Sequence, residues 1–238
     1  MIDFDKHAAT RVALFEEDCA RLKGSRRGKA DVVLLGDSLA ERYKGPLSWV
    51  NRGICSDHLQ WPSFNIFQRL GTDRLHPNPQ AIVILVGIND LNDAPHDLDR
   101  HADAYRRLLG DLSQHYPAAR LVVCSLLPTS GPAAHLNQPV AQFNLRLSEI
   151  AGLAGAGFLD LHACLFDAST GMARRAMLVP DGVHVSRRGY AELTACVVQH
   201  APALGLAPGL VGGAAGPLSR FLRAGLIASA WQSIRGWR

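Results

Sequence analysis

Apolar residues along this chain fall into two alternating rhythms. Short unbroken runs, Val32–Leu35, Ala81–Val86 and Leu121–Val123, contain no polar residue. Such runs are short for helices and suit parallel strands covered on both faces. With weaker runs they predict strands at 31–36, 48–51, 81–86, 120–125 and 157–161. Between these strands, apolar positions recur at helical spacing. Val12, Phe15, Cys19 and Leu22 mark a helix over 5–23, and others are predicted at about 59–71, 98–115, 138–153 and 187–200, the last capped by Ser186. Strands separated by helices imply right-handed βαβ units. The predicted fold is α/β, a three-layer α/β/α sandwich on a five-stranded parallel sheet.

The pattern breaks near the carboxyl end and suggests a division into a domain over 1–208 and a tail over 209–238. Gly209–Pro217 reads as a Gly-rich linker, and Leu218–Trp237 as a helix bearing Phe221, Trp231 and Trp237. The tail carries Arg220, Arg223, Arg235 and Arg238 and no acid; without these four, basic and acidic residues balance at 21 each, so the formal +4 resides in the tail. A basic, aromatic-bearing helix suggests contact through 218–238 with an anionic membrane surface or a partner groove, with packing on the domain as the plain alternative. Its apolar positions form no clean stripe, and Gly225 interrupts a short core, which argues against a membrane span. No basic excess or nucleic-acid motif lies elsewhere, so no nucleic-acid partner is expected.

The hydrophobic fraction of 47% and charged fraction of 19% are those of a globular chain. Cys19, Cys55, Cys124, Cys164 and Cys196 are read as free, packed thiols, without a C-x-x-C pair or zinc spacing. The opening Met1–Lys6 is polar, with no secretory signal, so a cytoplasmic location is expected.

Candidate chemistry sits where predicted strands end. Gly36-Asp37-Ser38-Leu39 follows the first apolar run and places a hydroxyl at the carboxyl edge of the sheet, where open α/β folds keep ligands. A serine nucleophile needs a base. Asp181-Gly182-Val183-His184 offers one, since a tight loop lets a carboxylate three residues before an imidazole fold back on that ring. Oxyanion donors are also needed. Gly53, in Asn51-Arg52-Gly53-Ile54, and Asn89, in Gly87-Ile88-Asn89-Asp90, stand after further strands. Taken singly, each admits a plainer reading: turn glycine, Asx cap, loop residues or part of a metal site.

Together, in this order, the four fragments resemble the blocks of the SGNH, or GDSL-type, hydrolase superfamily over about residues 30–200. The resemblance implies a flavodoxin-like fold, Ser38 as nucleophile, His184 as general base then acid, and Asp181 as its orienter. It also implies an oxyanion hole from the N–H groups of Ser38 and Gly53 and the Asn89 side chain. One departure stands out. Many relatives have a second glycine soon after the first, whereas this chain reads Gly53-Ile54-Cys55-Ser56-Asp57-His58. That puts substrate preference in doubt; Cys55 is read as packing and His58 as structural or substrate-contacting. The loops Leu91–Leu98 and Leu127–Pro139 are expected to wall the site, though no substrate-binding residue is named. The expected function is serine esterase, with no metal or organic cofactor, on short-chain, acetyl-type esters of carbohydrate or a simple alcohol. Lysophospholipase, thioesterase and acyltransferase activities are alternatives, and a catalytically silent scaffold a minor one.

Overall fold

A computed structural model of the chain describes residues 3–23, 32–44, 49–60 and 65–206. Residues 31 and 48 of the predicted strands, the basic turn 24–29, and the tail from 207 lie outside the described residues.

The apolar runs form one parallel sheet. Its strands are β1 (Val32–Gly36), β2 (Trp49–Gly53), β3 (Ala81–Leu85), β4 (Arg120–Cys124) and β5 (Gly157–Leu159), in the spatial order β2-β1-β3-β4-β5. All residues of β1 and β3 are buried, as their uninterrupted apolar sequence demands. The long helices are α1 (Phe4–Lys23), α4 (Leu98–His115), α5 (Asn137–Leu153) and α7 (Arg187–His200), each within a residue of its predicted start. Ser186 caps α7, its side chain accepting from the Gly189 N–H.

Several helices and turns among the described residues are shorter than, or absent from, the sequence pattern. The helices α2 (Ser38–Arg42), α3 (Ile88–Asp93) and α6 (His162–Leu165) are too brief to show a period. The helix predicted at 59–71 reduces to a 3₁₀ turn, Ile66–Arg69, while residues 61–64 lie outside the described residues. Its side chains favour this local turn: Asn65 and Gln68 make a capping box, and Arg69 turns inward, fully buried. A small antiparallel pair, β6 (Phe166–Asp167) and β7 (Met172–Ala173), was also outside the pattern.

The cysteine expectation is corrected. Cys164 of α6 and Cys196 of α7 form a disulfide across a Cα separation of 6.6 Å; Cys19, Cys55 and Cys124 are free. The residues are 32 apart in sequence and carry no motif, so only the packing of α6 on α7 brings them together.

The order 2-1-3-4-5 places the switch in strand order, where successive strands begin to be added on the other side of β1, between β1 and β3, and ligands of such sheets bind outside the carboxyl ends at that point. Ser38 follows β1 and Asn89 follows β3.

Candidate active site

Asp37 ends the extended stretch after β1, and its side chain caps α2 by accepting from the Leu39 N–H at 2.8 Å. The cap turns the chain sharply, so Ser38 opens the helix with its N–H uncommitted among the described residues. Packing positions its distant partner. Tyr43, at the end of α2, stacks on Tyr190 of α7 with ring centroids 5.5 Å apart, and Tyr190 Oη donates to Leu39 O at 2.9 Å. These contacts hold the start of α7 against α2, and the loop before α7 carries Asp181 and His184.

That loop is itself braced. The Val179 N–H donates to His184 O at 2.8 Å, and the Ser130 N–H donates to Gly182 O at 3.0 Å. Gly182 has φ +77°, and a Cβ there would meet Ser130 O at 1.8 Å, so this turn requires glycine. Asp181 Oδ1 accepts the Val183 and His184 N–H groups at 2.9 Å each, which folds the carboxylate back over the following residues. Its Oδ2 lies 2.7 Å from His184 Nδ1, and His184 Nε2 lies 3.0 Å from Ser38 Oγ. With the proton on Nδ1, the carboxylate accepts it and Nε2 is left to accept the serine O–H. Partial burial pulls the Asp181 pKa up, but the two N–H donors and the ring outweigh it and hold it below the ordinary carboxylate value. The arrangement can remove a proton from Ser38 Oγ and stabilise the resulting imidazolium.

The second predicted fragment sits otherwise than expected. The Gly53 N–H donates to Asn51 Oδ1 at 2.8 Å, so it is not free for an oxyanion. Asn51 in turn donates to Ala40 O and Tyr43 O at 2.7 and 2.8 Å, capping the end of α2. A Cβ on Gly53 would meet Glu41 N at 2.1 Å: this glycine is there to let β2 approach α2. Three residues on, Ser56 has φ +63°, a left-handed conformation uncommon outside glycine, and its N–H takes no partner among the described residues. Sequence reasoning missed it, although the displaced second glycine of relatives was a signal that this loop needs such a position.

Asn89 lies in the first turn of α3, and its Nδ2 donates to Asp57 O at 2.9 Å, leaving one amide hydrogen. Ser56 and Asn89 line the same cavity of about 490 Å³. Its other walls are Asp3, Phe4, Asp5 and Ala8 at the start of the chain, Cys55 and His58 of the loop, and Asn92 and Asp93 of α3. The expected wall at 91–98 is therefore partly realised as α3, whereas 127–139 braces the Asp181–His184 loop. Beneath the site the fully buried Arg69 donates to Gly36 O at 3.1 Å, to Arg52 O at 2.9 Å and to the Asp57 carboxylate. It ties the ends of β1 and β2 to the Ser56 loop. Burial alone would neutralise Asp57 and pushes it up to about 6 despite Arg69. No group of three His, Cys, Asp or Glu side chains suited to a metal gathers among the described residues.

Residues 21–192 match the model of the GDSL-like lipase/acylhydrolase family. No curated protein matches. Among solved structures, a GDSL-like lipase from Bacteroides thetaiotaomicron is similar at 18% identity, covering 81% of this chain and 97% of its own, with a TM-score of 0.66. A lipase/acylhydrolase from Enterococcus faecalis matches at 18% identity, 75% and 97% coverage and a TM-score of 0.59. An acetyl xylan esterase from Geobacillus stearothermophilus matches at 20% identity, 74% and 95% coverage and a TM-score of 0.56. At these identities the likeness establishes a shared fold.

Proposed function

The chain belongs to the GDSL-like lipase/acylhydrolase family and is an ester-hydrolysing enzyme; from that premise we propose that it cleaves short-chain acyl esters through Ser38, His184 and Asp181. The observation that carries the reading is the chain of contacts from Asp181 through His184 to Ser38 Oγ, at 2.7 and 3.0 Å. Ser38 attacks the ester carbonyl while Nε2 takes its proton. His184 then protonates the departing alcohol, and water, deprotonated by the same ring, clears the acyl-enzyme. The Ser38 N–H, the remaining Asn89 amide hydrogen and the Ser56 N–H, which replaces Gly53 in this role, stabilise the oxyanion.

The preference for a small acyl group is supported by the acetyl xylan esterase that shares the fold. No helix among the described residues is long and apolar enough to cross a membrane.

Hydrolysis of p-nitrophenyl esters from acetate to palmitate tests the reading. Turnover should fall steeply beyond short chains, and Ser38→Ala should abolish it on every ester. Asn89→Ala should lower kcat by about a hundredfold to a thousandfold. A maximum at palmitate would replace the acyl preference with a lipase or thioesterase reading. Undiminished turnover in Ser38→Ala would remove the proposed nucleophile.

A further inference from the structure

Helix α1 lies almost entirely ahead of the family match, which begins at residue 21, yet it grips the loop that carries Ser56. His7 Nε2 lies 3.1 and 3.2 Å from the two carboxylate oxygens of Glu41, and Arg11 Nε lies 3.9 Å from one of them. Arg11 also donates to Gly53 O at 3.3 Å. Glu41 stands one helical turn after Ser38, and its Oε2 accepts the Cys55 N–H. Ala8 and Phe15 pack on Ile54, the residue between these polar contacts. One carboxylate thus joins the nucleophile's helix, the preceding helix and the loop.

The backbone of that loop explains why such a hold is needed. A left-handed serine persists only where its surroundings determine both neighbouring peptides. Downstream of Ser56, His58 Nδ1 donates to Ser56 O at 2.6 Å, and Arg69 fixes Asp57. Upstream, the Glu41–Cys55 hydrogen bond fixes the preceding peptide. We propose that Glu41 is a positioning residue for catalysis: braced by His7 and Arg11, it fixes Cys55 and so keeps Ser56 in the conformation that leaves its N–H free at the cavity wall. The inference rests on Ser56 as an oxyanion donor, and it makes α1 part of the catalytic apparatus and not an appended helix.

Steady-state kinetics on p-nitrophenyl acetate for Glu41→Ala, Glu41→Gln and Glu41→Asp, beside Ser38→Ala, test it. A positioning group acting on the transition state changes kcat more than KM. Glutamine keeps an acceptor of the same reach, so Glu41→Gln should retain kcat within about threefold, whereas alanine, and aspartate one methylene too short, should lower it about tenfold to a hundredfold with KM within about twofold. Rates are read well below each variant's melting temperature, where a merely structural loss would leave kcat unchanged. Should Glu41→Ala not fold, the contrast between glutamine and aspartate decides. Wild-type kcat in Glu41→Asp, or a loss in Glu41→Gln as large as in Glu41→Asp, overturns the proposal. Persistent turnover in Ser38→Ala would instead overturn the nucleophile assignment, with Glu41 intact in that variant.

Discussion

Asp37, directly before Ser38, is a fully buried carboxylate that accepts the Leu39 N–H. Burial pushes its pKa up to about 7 from an ordinary 3.8, and the nearby Asp57 and Asp90 add to the rise. A group whose folded pKa is raised holds its proton longer in the folded state than in the unfolded one. Its stabilising contribution is complete below about pH 4 and is lost as pH climbs through 7. Asparagine can cap α2 in the same way without titrating. Urea unfolding should therefore show Asp37→Asn gaining stability relative to the wild type between pH 4 and pH 8; a constant difference would mean that Asp37 titrates normally. At this scale the sequence made Ser38 and the Asp181–His184 pair visible because their roles depend on local spacing. The sequence pointed to Gly53 and not to Ser56, since the choice between them turns on which N–H the Asn51 side chain already occupies.

The elements that hold the site are short and irregular. The loop from 177 to 186 is stitched by Ser186 N–H to Met177 O at 2.9 Å and by a bridge between Leu178 and Val185, and it enters α7 at the Ser186 cap. The disulfide pins the helix that follows this loop to α6. Thiol alkylation under denaturing conditions should count three free cysteines of five before reduction and five after. Closing a loop of this length contributes about 3–4 kcal/mol in the chain-entropy picture, so the reduced protein should also unfold at lower denaturant. Five reactive thiols before reduction would return all cysteines to the packed, free state. Periodicity located the long helices but not α2 or α3, because five or six residues span less than two turns and leave no period to read.

Across the whole molecule, the switch between β1 and β3 gathers groups 146 residues apart, from Ser38 to His184, at one edge of the sheet. The formal charge excess of the chain lies elsewhere in the sequence, in the arginines of 209–238. We propose that this segment binds an anionic surface and takes no part in hydrolysis. A chain ending at Pro208 should hydrolyse p-nitrophenyl acetate at the full-length rate but no longer sediment with vesicles containing phosphatidylserine. Equal sedimentation of both chains would refute the role.

The sequence by itself determined the sheet, its long helices and the pair Asp181 and His184. Unbroken apolar runs cannot be exposed, helical spacing commits a face, and a carboxylate three residues from an imidazole needs only a tight loop to meet it. Tertiary structure decided what depends on contacts between distant segments. It joined Cys164 to Cys196, sent Arg69 inward to the ends of β1 and β2, and stacked Tyr43 on Tyr190 so that Ser38 meets His184. It also assigned Gly53 to close packing and left the N–H of Ser56 unclaimed, because backbone hydrogen bonds are allotted by whatever lies nearby in space.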